Sequence, residues 1–126
     1  MARPRVLLID EGSGDRGLLV QMLRPRDYDL FIADRSPESV VKLLGECSPH
    51  LLILDMAMVG LDPIDVLLAV RRVDTKLPVI VVNASASASA VLKTLTLGNC
   101  DYLFRPLDGE RLCGLIESMV GPKDAK

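Results

Sequence analysis

Short apolar runs alternate along the chain with segments in which apolar residues recur every three or four positions. The runs are Val6-Leu7-Leu8-Ile9, Tyr28 to Ala33, Leu51-Leu52-Ile53-Leu54, Val79-Ile80-Val81-Val82 and Cys100 to Phe104. Brief, nearly continuous apolar runs predict strands buried on both faces, as in the middle of a parallel sheet. Between the runs the period lengthens. Leu18, Leu19, Met22 and Leu23 predict a helix from about Asp15 to Arg24, ended by Pro25. Val40, Val41, Leu44 and Cys47 predict the buried face of a second helix. Ser36 is its N-cap, Pro37 its first helical residue, and Ser48-Pro49 breaks it. Asp62-Pro63 repeats the opening signal, and Ile64, Leu67, Leu68 and Arg71 then fall along one side of a third helix. Leu112, Leu115, Ile116, Met119 and Val120 make the best amphipathic stripe in the chain, behind Asp108 as cap.

One segment fits neither period. Ala84 to Ala90 alternates Ala and Ser; Ala favours helix, whereas Ser competes for the backbone. It predicts a loop leading into a weak fourth helix that ends at Gly98. Five strands alternating with five helices, with no hairpin signal between strands, predict an α/β fold with helices on both faces of a parallel sheet. The flavodoxin-like, doubly wound arrangement has strand order 2-1-3-4-5. No internal repeat or boundary interrupts the pattern. Residues 1–121 read as a single domain and residues 122–126 as a polar tail or the start of a linker.

Composition narrows the function classes. At 126 residues and 49% apolar, the chain can bury a sizeable core. Only 3% is aromatic and there is no Trp, so the core is aliphatic and platforms for stacking nucleic-acid bases are missing. The net charge of −2, with no basic stripe, gives no footprint for direct nucleic-acid binding. Cys47, Cys100 and Cys113 are far apart and in apolar contexts, which predicts reduced, buried thiols and a cytoplasmic protein rather than a metal or disulfide frame. No signal peptide is visible, and no apolar run approaches the length of a membrane span.

Chemistry gathers where the strands end. The predicted sheet puts every carboxyl end on one edge, where ligands bind in open α/β folds. That edge carries Asp10 and Glu11 after strand 1, Asp34 after strand 2, Asp55 after strand 3, Asn83 after strand 4 and Arg105 after strand 5. Asp55 is the first suspect, because a charge at the end of a buried strand is costly unless it emerges into a cleft. A capping or turn role is the plainer alternative. With order 2-1-3-4-5 the switch point lies between strands 1 and 3, so Asp10, Glu11 and Asp55 would share one cleft. Three ionised carboxylates need a cation there, and oxygen donors suit Mg²⁺ or Mn²⁺. Arg105 could fork onto a phosphoryl group, and Asn83 offers an amide donor. These are the parts for phosphoryl transfer onto Asp55.

Other features weigh less. Gly12-Ser13-Gly14-Asp15-Arg16-Gly17 fits G-x-G-x-x-G between a strand and a helix. Yet Asp10-Glu11 would put two negative charges where a pyrophosphate would lie, and the chain is too short for a dinucleotide enzyme. A turn beside the acidic pair explains the glycines better. His50 precedes the third strand, far from the carboxyl-end edge, and reads as a surface or strand-start residue. Asp34 reads as a turn or cap residue before Ser36-Pro37.

The stretches Val6-Leu7-Leu8-Ile9-Asp10-Glu11, Leu51-Leu52-Ile53-Leu54-Asp55-Met56-Ala57-Met58 and Leu97-Gly98-Asn99-Cys100-Asp101-Tyr102-Leu103-Phe104-Arg105-Pro106 together resemble the receiver domain of bacterial two-component response regulators. The similarity covers about residues 5 to 120. It implies that Asp55 accepts phosphate from a histidine kinase or phosphotransfer protein. It implies that Asp10, Glu11, Asp55 and the backbone carbonyl of Ala57 hold Mg²⁺, that Asn83, Arg105 and Tyr102 are the switch positions, and that Arg105-Pro106 is the bond that is cis in the family. By the same resemblance, the face of fourth helix, fifth strand and fifth helix meets an output domain or partner protein, or a second copy. Three matched positions depart from the pattern: Glu11 for Asp, Asn83 for Ser or Thr, and Arg105 for Lys. Val59 and Pro63 are lesser departures. The alternative is a pseudo-receiver, a protein-binding module in which Arg105 pairs with Asp55 without phosphate. A Mg²⁺-dependent phosphatase would need an acid two residues after Asp55, where Ala57 stands, so the chain does not read as an enzyme.

Overall fold

Arg5–Ile9 (β1), Asp29–Ala33 (β2), Leu51–Asp55 (β3), Val79–Ala84 (β4) and Cys100–Phe104 (β5) form one parallel sheet in the order β2-β1-β3-β4-β5. The helices are Pro37–Cys47 (α1), Pro63–Val73 (α2) and Gly109–Val120 (α3), and residues 20–23 are also helical. This computed structural model describes residues 4–9, 20–23, 28–33, 37–55, 63–84, 100–104 and 108–120. The predicted fourth helix lies outside them, as do most of the first and the polar tail.

The strands are mostly apolar because the sheet feeds two cores, and successive side chains point to opposite faces. Leu7, Ile9, Leu52, Leu54, Val79 and Val81 pack with Val40 and Leu44 of α1 and with Val66, Leu67 and Val70 of α2. Val6, Leu8, Leu51, Ile53, Ile80 and Val82 pack on the other face with Leu23 and with Leu112, Ile116 and Val120 of α3. Helices therefore cover both faces, and β1, paired with both β2 and β3, marks the switch in winding. Aliphatic side chains carry both layers, as the low aromatic content requires.

Two expected core residues lie outside it. Val41 is 38% exposed and Leu68 is 40% exposed. A helix resting on a flat sheet buries only one stripe. In α1 that stripe runs through Val40 and Leu44 with Leu43 at its margin, and in α2 through Val66, Leu67 and Val70. Val41 and Leu68 each stand one step, about 100°, past a buried neighbour. Arg71 keeps its expected inward place at 9% exposure. Its Nη1 donates to the carbonyl of Leu77 at 2.6 Å and that of Asp74 at 3.3 Å, fastening the turn from α2 into β4. Asp74 shapes that turn by accepting the Lys76 N–H at 2.8 Å. Cys113 is buried, but Cys47 is only half-buried. Burial pushes the Cys47 thiol up, with the Arg5 guanidinium pulling the other way. β4 runs on through Asn83 and Ala84, two residues beyond the predicted strand.

The helix ends carry their own chemistry. Asp108 Oδ1 accepts from the backbone N–H of Glu110 at 3.0 Å and of Arg111 at 3.3 Å, the N-cap expected for α3. At the far end of α1, Ser48 has φ 47°, the left-handed position where a helix commonly stops. Arg5, at the start of β1, closes this end. Its Nε donates to the carbonyls of Cys47 at 2.8 Å and Ser48 at 3.1 Å, setting a cation on the negative end of the helix. The backbone N–H of Arg5 donates to His50 Nδ1 at 2.9 Å, and its carbonyl accepts from the His50 N–H at 2.7 Å. One residue so joins β1, α1 and the start of β3.

Two stability measurements test this packing by chemical denaturation. Leu67→Ala should cost about 2–5 kcal/mol, as cavity-forming core substitutions do, whereas Leu68→Ala, one residue on, should cost less than about 1 kcal/mol. Arg5→Ala should cost about 1–2 kcal/mol, because it removes charge-assisted bonds and the cation at the end of α1.

Candidate functional site

The candidate site is organised by rows of residues across the sheet. One row runs Ala33, Ile9, Leu54, Val81, Tyr102 through β2, β1, β3, β4 and β5. In the next, Asp55 pairs with Val82. Asp55 is therefore the last residue of the central strand, and it stands one row past the pairing of Ile9 with Leu54. Asn83 follows Val82 on the adjacent strand, about 4.8 Å away between strand axes. Tyr102 lies two strands from Asp55 and one row behind it. The structure thus brings Asp55 and Asn83 to one edge and sets Tyr102 on the third strand of that group. Their placement is that of the strand backbone.

Asp55 reaches this edge because the four residues before it are fully or almost fully buried. Leu51, Leu52 and Ile53 are 0% exposed and Leu54 is 1% exposed. The backbone of β3 is paired on both sides, and both faces are covered.

The β4–β5 ladder is irregular beside the site. Val81 pairs with Tyr102 but Ala84 pairs with Phe104, so β4 spends three steps where β5 spends two. The extra residue falls at Val82 or Asn83. Such bulges bend the strand that carries them and occur often beside functional sites. Nothing in the apolar run Val79 to Val82 signals it.

Asp10, Glu11, Ala57 and Arg105 lie outside the described residues, as do Asp34 and the glycine motif. The chain reaches Asp10 directly from Ile9, which pairs with Leu54. No group of three or more potential metal ligands occurs among the described residues. His50 lies at the amino end of β3, at the opposite edge from Asp55, roughly 16 Å away along the strand. Its Nδ1 accepts from Arg5, so its place is structural, as expected. Among the described residues no helix is long and apolar enough to cross a membrane.

The family model of the response regulator receiver domain matches residues 6–117. The chain belongs to that family. Transcriptional regulatory protein AfsQ1 of Streptomyces coelicolor is 32% identical over 117 residues, covering 93% of this chain and 51% of the relative. The receiver chain spans about half the length of the curated relatives it matches. Among solved structures, the chemotaxis protein CheY4 of Vibrio cholerae matches with a TM-score of 0.82 at 17% identity, over 94% of this chain and 100% of that one. The receiver domain of sensor histidine kinase PA1611 of Pseudomonas aeruginosa matches with a TM-score of 0.80 at 20% identity, over 96% and 100%. At such identities the likeness is one of fold. The PA1611 structure has magnesium coordinated in its active-site cleft.

Proposed function

We propose that this receiver domain, residues 1–121, accepts a phosphoryl group on Asp55 and signals through protein contacts. The observation that carries the reading is the position of Asp55 as the last residue of the central, fully packed strand, beside Asn83. The donor is a histidine kinase or phosphotransfer protein. An Asp55 carboxylate oxygen attacks the phosphorus of the phosphohistidine. The P–N bond breaks, an acyl phosphate forms, and the imidazole leaves with a proton. Asn83 donates to the phosphoryl oxygens and Arg105 offsets their charge.

Asp10, Glu11, Asp55 and the Ala57 carbonyl suit Mg²⁺, because all four supply hard oxygen donors. β1 and β3 are neighbours that end one row apart, which supports drawing those donors to one point. When bound, the ion would offset the charge that builds on the transferring group. The extra methylene of Glu11 makes this a weaker site than a pair of aspartates would give. The charge gained at Asp55 is read by Tyr102 and the face formed by the fourth helix, β5 and α3. That face meets an output domain or partner protein, or a second copy.

The pseudo-receiver is the second reading. It is favoured by the departures at Glu11, Asn83 and Arg105, which leave the acceptor in place but alter the residues around it. Here Arg105 pairs with Asp55, and the partner reads a fixed shape. Asp55→Asn would then leave partner binding intact.

Incubation with Mg²⁺ and acetyl phosphate should add the mass of one phosphoryl group to the wild type and none to Asp55→Ala. Loading should fail when the metal is chelated. No mass change at any concentration of donor would overturn the phosphoacceptor reading. Thermal denaturation gives a second measure. Asp55→Asn should melt above the wild type without Mg²⁺, because it relieves carboxylate repulsion, and added Mg²⁺ should narrow the gap. Restoring the family's residues with Asn83→Thr and Arg105→Lys should speed loading by roughly tenfold or more, about 1.4 kcal/mol of barrier; an unchanged rate would show that these substitutions do not limit transfer.

A further inference from the structure

We draw no further inference here: the strongest candidate, the exposed apolar residues Val41 of α1 and Leu68 and Val73 of α2 on the outer surface of one helical layer, carries nothing because nothing in the structure shows what covers them.

Discussion

The structure depends on the burial of β3. Its first four residues are sealed between two cores and paired on both sides. Removing four large aliphatic side chains from water contributes roughly 6–12 kcal/mol. That rivals the whole net stability of a typical domain, about 5–15 kcal/mol. In this register Leu52 and Leu54 lie on one face and Leu51 and Ile53 on the other, with Asp55 the last residue of the strand. A slip of one residue would exchange the two faces and draw Asp55 into the sheet, where an unpaired carboxylate is costly. The packing that holds the fold together therefore also fixes where the acid emerges.

The same logic separates the two ends of the strand. At the amino end, His50, Arg5 and the last carbonyls of α1 form a closed hydrogen-bonded corner. Polar groups there satisfy one another and fix the start of the ladder. At the carboxyl end, Ile9 of β1 pairs with Leu54, and Asp55, the last residue of β3, pairs with Val82 of β4. His50, five residues before Asp55, therefore lies at the opposite edge of the sheet, whereas Asn83, far along the chain, stands on the adjacent strand.

Most of the fold was legible in the sequence, because strands buried on both faces leave an unmistakable run of apolar residues. The positions of β1, β3 and β5, and the proline starts of α1 and α2, follow from such local signals. What was not legible depends on partners. Val41 and Leu68 look like core residues to any periodicity, and only the flat sheet beneath decides which neighbours lie inward. The role of Arg5 requires a helix end more than forty residues away. The irregularity between β4 and β5 arises from the pairing itself, so neither strand shows it alone. In the candidate site, Asp55 and Asn83 were legible because the ends of apolar runs can be counted. Asp10, Glu11 and Arg105 were legible in the same way, as residues that follow apolar runs, whereas Ala57 entered only through resemblance to a family pattern.

Fold and chemistry constrain this chain unequally. A sheet core accepts almost any aliphatic residue of suitable size, so identity to other receiver domains can fall to 17% while the TM-score stays at 0.82. A phosphoryl site is less forgiving, since Asn for a hydroxyl or Arg for Lys changes donor geometry and charge distribution. The irregular ladder adds weight to the first of these. Residue 83 sits where β4 changes register against β5, so its backbone environment, as well as its side chain, can differ from that of a regular strand end. The strand that ends in Asp55 is thus held by the whole core, while Asn83 lies in a short, irregular segment of the neighbouring strand.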